Sequence, residues 1–152
     1  MAVASIQERT REIVAEFEEL GDWVDRYRYL VELGEKMAPL PESERTDETR
    51  LPGCQYGLWI RTDYDAGDDA LRFLVHSDAR ITRGLAALIV RVLDGQPPSV
   101  VADAELEFLD EVGLRSHLSS QRNSGLSAMI HEMKNRARQH RDAARSPRQA
   151  AS

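Results

Sequence analysis

Along the first part of the chain, apolar residues recur at helical spacing. Ile6, Ile13, Val14, Phe17 and Leu20 fall on one face, and Gly21 ends the run. Ser5-Ile6-Gln7-Glu8 matches a capping box, in which the serine hydroxyl and the glutamate each satisfy a backbone donor left free at a helix start. Asp22 is placed to cap a second helix with the stripe Trp23, Tyr27, Leu30, Val31 and Gly34, stopped by Pro39 and Pro41. The opposite faces, with Glu16, Glu18, Arg26 and Glu32, read as solvated surface. Residues Glu42 to Arg50 are highly charged, lack a clean period and predict a connecting loop.

Beyond Cys54 the period becomes two. Leu58, Ile60 and Thr62 alternate with Trp59 and Arg61, and Leu71, Phe73 and Val75 alternate with Arg72 and His76. This predicts two strands joined by the acidic, glycine-containing loop Asp63 to Asp69, an antiparallel hairpin, with a short third strand at Thr49 to Leu51. Ser77-Asp78 reads as an N-cap for a helix carrying Ile81, Leu85, Leu88, Ile89 and Val92, closed by Gly95 and Pro97-Pro98. Short helical pieces follow at Pro98 to Ala102 and at Glu105 to Val112. Ser119 to Arg122 offer caps for a last helix with the core stripe Leu126, Met129, Ile130 and Met133. The expected architecture is α+β: a small antiparallel sheet of about three strands packed with N- and C-terminal helices. Residues 1–140 are expected to form one domain, with 141–152 as a flexible tail.

Composition narrows the class. With 152 residues, 41% hydrophobic and 30% charged, the chain can bury one core without disulfides or metal. A net charge of −6 argues against a nucleic-acid surface. The start Met1-Ala2-Val3-Ala4-Ser5 runs straight into charged residues, so no signal-peptide stretch is read. The apolar run Leu85 to Val90 is too short to span a bilayer. An unpaired thiol without an export signal fits a reducing cytoplasm.

That thiol is Cys54, the only cysteine, in Leu51-Pro52-Gly53-Cys54-Gln55-Tyr56. One thiol forms no internal disulfide and no all-thiolate metal site. Pro-Gly in front of it marks a turn leading into a strand. Two readings stand side by side: a small buried hydrophobe, or a reactive group on a loop. His76, His117, His131 and His140 form no HxxxH pattern, and no glycine-rich phosphate loop is present. No metal or cofactor is expected. Taken alone, each histidine reads as a surface or hydrogen-bonding residue, Asp78 as a helix cap, and Trp59 as core. Arg122 reads equally as one half of an ion pair.

Several segments nevertheless occur together in order. They are Gly53-Cys54-Gln55 with Leu58-Trp59; Ser77-Asp78-Ala79-Arg80-Ile81 with Gly84-Leu85; and Gly113-Leu114, His117-Leu118-Ser119, Arg122, Gly125-Leu126 and Ala128-Met129. In this the chain resembles the SufE family of sulfur-acceptor proteins, from about Trp23 to Arg136. It departs from the family pattern at Tyr56, Leu58 and Gln121.

The resemblance implies a fold similar to the three-cysteine IscU-like iron–sulfur scaffolds, without their ligand set. It implies a non-enzymatic partner of a pyridoxal-phosphate cysteine desulfurase of the SufS-like kind. Cys54 would take the terminal sulfur of the partner's persulfide, stimulate the partner, and hand sulfur to an iron–sulfur scaffold. Gly53 and Gln55 belong to the cysteine loop on this reading, and Arg122, Asp78 and His117 are candidates for partner binding or thiolate support. Thiolate exchange between sulfurs needs only one cysteine. The competing classes are a single-cysteine thiol redox enzyme, which needs cations around the thiolate, and a passive adaptor. A homodimer is left open.

Overall fold

The computed structural model describes residues 4–52 and 57–145. Gly53, Cys54, Gln55 and Tyr56 lie outside the described residues, as do residues 146–152 of the expected tail. Helices α1 (Ile6–Glu19) and α2 (Trp23–Lys36) precede a hairpin of β1 (Leu58–Asp65) and β2 (Ala70–Ser77). Then follow α3 (Arg80–Leu93), α4 (Pro98–Asp103), α5 (Phe108–Glu111) and α6 (Ser120–Arg145), with single 3-10 turns at Glu42–Glu44 and Arg115–His117.

The N-terminal caps form as the sequence predicts. Ser5 Oγ accepts the Glu8 amide at 3.1 Å and Asp22 Oδ1 accepts the Asp25 amide at 2.9 Å. Ile13, Phe17 and Leu30 are fully buried. The hairpin is antiparallel, with Leu58 opposite Ser77, Ile60 opposite Val75, Thr62 opposite Phe73 and Tyr64 opposite Leu71. Leu58, Ile60, Leu71, Phe73 and Val75 are buried on the face toward the helices, as alternation requires.

Among the described residues the sheet has two strands rather than about three. Thr49 to Leu51 do approach β1, but they make a single antiparallel bridge, Arg50 to Trp59. Flanked by Ile60 N–H to Thr49 O at 2.8 Å and Leu51 N–H to Leu58 O at 2.7 Å, that contact is too short to count as a strand.

Helix α3 is the centre of the molecule. Leu85, Leu88, Ile89, Val92 and Leu93 on it are fully buried. It crosses α2 closely because Gly34 and Gly84 meet: a Cβ on Gly84 would overlap the Leu30 carbonyl. A polar tie joins the first three helices. Arg91 of α3 donates to Glu16 of α1 at 3.0 Å and to the Tyr29 hydroxyl of α2 at 3.4 Å, and Tyr29 also bonds Glu16. The Arg91 hydrogen bond holds the Glu16 carboxyl below its ordinary range against the opposing effect of burial. Burial first, and the Glu16 carboxylate second, push Tyr29 up. Arg9 closes the end of α3 by donating to the carbonyls of Arg91, Val92 and Asp94 at 3.2, 3.2 and 2.7 Å.

The last helix runs five residues past His140, where the apolar period stops. Arg141 pairs there with Asp103 of α4 at 3.4 Å. Leu126, Met129, Met133 and Ala137 supply its buried face.

Candidate functional site

Two short segments enclose the part of the chain that carries Cys54. On the entry side, Leu51 is buried and its amide is held by Leu58 O at 2.7 Å. On the exit side, Gly57 has φ +72°, a left-handed conformation that a Cβ disfavours. A Cβ at Gly57 would also lie 2.8 Å from the Trp59 ring and 3.0 Å from Asp78 Oδ2. The Gly57 carbonyl accepts the Ser77 hydroxyl at 2.9 Å, and Ser77 Oγ in turn accepts the Ala79 amide at 3.2 Å. The end of β2 and the turn into α3 therefore clamp the chain immediately after the cysteine segment.

Asp78 takes a different part from the expected helix cap. The residue before α3 is Ala79, which makes no side-chain cap bond. The Asp78 carboxylate turns back instead to His76 Nε2 at 3.3 Å, while the Asp78 amide donates to Gly57 O at 3.4 Å. The hydroxyl of Ser77 meets the Ala79 amide, so the carboxylate is not needed there. His76 is 8% exposed, and its Nδ1 is buried without a hydrogen-bond partner among the described residues. Its ring packs 5.7 Å from that of Trp59, and the Arg50 guanidinium lies 5.8 Å from the Trp59 ring on the other side of the row. Arg50, Trp59 and His76 thus form a cross-strand row beside the clamp.

The sequence marks Asp78 as a site candidate, Ser77 only as part of a cap and motif, and His76 only as a surface or hydrogen-bonding histidine; it does not mark Gly57. The signal for His76 was present: once the hairpin is in register, alternation puts it opposite Trp59. Nothing local announces the Ser77 to Gly57 bond, because it joins residues twenty positions apart.

Arg122 lies in the first turn of α6, where its amide is capped by Ser119 Oγ at 3.2 Å. Its side-chain Nε is buried without a hydrogen-bond partner among the described residues, and no ion pair to it occurs there. The contacts of α6 fix its direction. The His140 ring stacks on Tyr64 at 5.2 Å, and Glu132 and Arg136 border a small cavity with Ile60, Thr62 and Pro52. Later α6 residues therefore meet later β1 residues, and the start of α6 lies toward the start of β1. From Tyr64 back to Gly57 is about 23 Å of strand, a distance that takes about 15 residues of helix. This brings Gly57 level with the first turns of α6, the part that carries Arg122.

His117 is placed elsewhere. It stacks on Trp23 with ring centres 3.8 Å apart, its Nδ1 meets Gly113 O at 2.8 Å, and its carbonyl accepts the Tyr27 hydroxyl. Arg26 covers Trp23 at 4.9 Å. The structure joins His117 to α2 and not, among the described residues, to Gly57 or Asp78. Gly53, Cys54 and Gln55 lie outside the described residues.

Among the described residues, no group of three or more His, Cys, Asp or Glu side chains is arranged to hold a metal ion. No helix among them is long and apolar enough to cross a membrane.

The family model described as "SufE: Fe-S metabolism associated domain" matches residues 11–137. An uncharacterized SufE-like protein of Rhizobium meliloti is 40% identical over 83% of this chain and 92% of its own length. One from Rhizobium etli is 37% identical over 84% of this chain and 88% of its own length. The chloroplastic quinolinate synthase of Nicotiana tabacum is 30% identical over 83% of this chain, a match that takes up 18% of that longer protein. In three dimensions the chain is similar to a hypothetical protein from Thermus thermophilus. The TM-score is 0.70 at 22% identity, covering 86% of this chain and 94% of that one.

Proposed function

The chain belongs to the SufE family of Fe–S metabolism associated domains, and from that premise we propose that Cys54 is a sulfur acceptor for a cysteine desulfurase. The observation that carries the reading is the family match together with a single thiol, set between Leu51 and Gly57, two residues whose backbones are both tied to neighbouring segments. A carrier needs such an arrangement: fixed flanks and a short tethered stretch bearing one nucleophile.

The transfer step is an exchange between sulfurs. The Cys54 thiolate attacks the terminal sulfur of the persulfide on the desulfurase cysteine. A bond forms between Cys54 Sγ and that sulfur, the partner's S–S bond breaks, and the partner's thiolate leaves. No electrons are gained or lost overall and no cofactor of this chain is required. The pyridoxal phosphate belongs to the desulfurase. A second exchange of the same kind passes the sulfur to an iron–sulfur scaffold. With no second cysteine in the chain, an intramolecular thiol cannot release the sulfur prematurely. The role is that of a transfer partner and activator, not a free-standing enzyme, and a reducing compartment such as the cytoplasm suits it.

Arg122, Asp78 and the clamp at Gly57 are the groups this reading assigns to positioning. The Asp78 amide donates to Gly57 O at 3.4 Å, and its carboxylate stands where a Cβ on Gly57 would meet it. The Arg122 side chain is a cation held at the end of α6 that faces the start of β1. A guanidinium there suits a thiolate or a partner carboxylate. Nothing comparable supports His117, whose ring is committed to Trp23 and Gly113.

The test is incubation with a pyridoxal-phosphate cysteine desulfurase and cysteine, followed by mass spectrometry of the Cys54 peptide. The expected result is the gain of one sulfur atom on Cys54 and none on Cys54→Ser, which keeps the partner complex. A serine variant that stimulated sulfide release as fully as the parent would overturn the carrier role and leave a passive adaptor. Peroxide consumption by the isolated protein, without sulfur uptake, would move it to the thiol redox class.

A further inference from the structure

Away from the cysteine end, a groove of about 890 Å³ runs between α1 on one side and α4 and α5 on the other. Its floor is apolar: Ile6 and Val14 from α1, Val100 from α4 and Phe108 from α5. Val100 is 39% exposed, one of three large apolar side chains so exposed among the described residues. The rim is strongly acidic. Asp103, Glu105, Glu107 and Glu111 stand on the α4–α5 side and Glu18 on the α1 side, against Arg11 as the one cation of the lining among the described residues. Of these carboxylates only Asp103 has an ion-pair partner among the described residues, Arg141.

We infer that this groove docks a cationic amphipathic helix of a partner protein, apolar face down and basic edge toward α5. Three observations lead to this occupant. The groove walls are helices whose backbone groups are already bonded, so no sheet edge is offered to an extended peptide. A helix satisfies its own backbone and needs only side-chain contact. The open apolar floor matches one helical stripe, and α1 from Ile6 to Glu18 gives it a wall of about 18 Å, the length of about twelve helical residues. The unpaired carboxylates on the α5 side call for lysine or arginine along one edge.

A second copy of this chain fits less well. Its net charge is −6, and the same acidic face would repel itself. The cationic stretch Lys134, Arg136, Arg138 and Arg141 is already packed on α4 of its own chain through Lys134 to Ala104 O at 2.7 Å and Arg141 to Asp103. It also presents no large exposed apolar side chain.

The groove and the cysteine segment lie at different ends. The start of α1 sits against the end of α3, through Arg9, and the turn after α3 holds the turn end of the hairpin, through Leu71 N–H to Gln96 O at 2.9 Å. The clamp at Gly57 is at the opposite end of the same strands. A partner helix in the groove leaves the sulfur-accepting end free.

The probe is a labelled peptide of about twelve residues with leucines on one helical stripe and lysines elsewhere. Controls are a scramble that scatters the leucines and a version with glutamate for lysine. Titrated against the full chain, the first peptide should bind and shift the amide signals of Val14, Val100 and Phe108, while both controls fail. Glu18→Lys combined with Glu111→Lys should weaken binding about tenfold, as should raising salt from about 0.1 M to 1 M. Both substitutions fall at exposed helix C-termini, where a cation is tolerated. Equal binding of the scramble, or signal shifts centred on the acidic Asp63 to Asp69 turn, would reduce the effect to bulk charge and overturn the inference. A dimer in sedimentation that the same two substitutions disperse would give the groove to a second copy. Tighter peptide binding by a chain ending at Arg145 would give it to the residues that follow. Either result overturns the partner assignment.

Discussion

Gly57 shows how one residue can carry a structural constraint that composition hides. Its φ of +72° and the nearness of Trp59 and Asp78 leave no room for a side chain. Gly57→Ala is therefore expected to destabilise the fold by about 2 kcal/mol, combining left-handed strain with the clash. Because the strain falls beside Trp59, the variant should also change tryptophan emission in the folded state. Gly21 is the control: a Cβ there meets nothing within 4 Å. Gly21→Ala should be neutral or add about 0.5 kcal/mol by restricting the unfolded chain. Denaturant melts of the two variants check the contrast, and equal destabilisation by both would remove the special standing of Gly57. Sequence alone could not separate these two glycines. Each stands just before a regular element, α2 or β1, and what distinguishes them is the approach of Trp59 and Asp78 to Gly57 alone.

Elements were read well where their logic is local, and less well where it is not. The stripes of α1, α2, α3 and α6 and the alternation of the hairpin follow from periods within each segment, and the same faces are buried. The Ser77-Asp78 pair reads locally as a cap, yet His76 draws the Asp78 carboxylate away and Gly57 O takes its amide, contacts that exist only once the hairpin closes. The third strand failed in the same way, since one bridge at Arg50 does not make a ladder. The tie between α1, α2 and α3 was also invisible, because Glu16 looked like one more solvated carboxylate. That tie has a pH signature. The folded Glu16 carboxyl is held below its ordinary value, so it stabilises the fold above about pH 4.3 and that contribution is lost as pH falls toward the folded value. Glu16→Gln should be less stable than the parent at pH 7, and the gap should be smaller at a pH below about 4.3. Thermal melts at both pH values check this. A gap that stayed constant with pH would assign the loss to packing rather than to charge.

At the scale of the whole molecule, β1 and α6 run in the same sense, with the proposed transfer site at the end where both begin and the proposed docking groove away from it. The hairpin, α3 and α6 share one core, so a change at one end reaches the other only by disturbing packing. Arg122 is at the end where β1 begins, and its Nε makes no hydrogen bond within the described fold. Removing it breaks no side-chain hydrogen bond or ion pair among the described residues, so Arg122→Ala should keep a near-parental melting midpoint. If the guanidinium serves the transfer reaction, the same variant should accept sulfur on Cys54 about tenfold more slowly, the loss expected for one charge-assisted hydrogen bond. Glu18→Lys with Glu111→Lys, at the groove, should do the reverse: normal sulfur uptake and weakened binding of the cationic helix. Measuring both readouts on both variants separates the ends. Sulfur uptake that fell equally in the two variants, with their stabilities unchanged, would mean that the groove belongs to the desulfurase footprint. Uptake unchanged in Arg122→Ala would return that residue to a purely structural place at the head of α6.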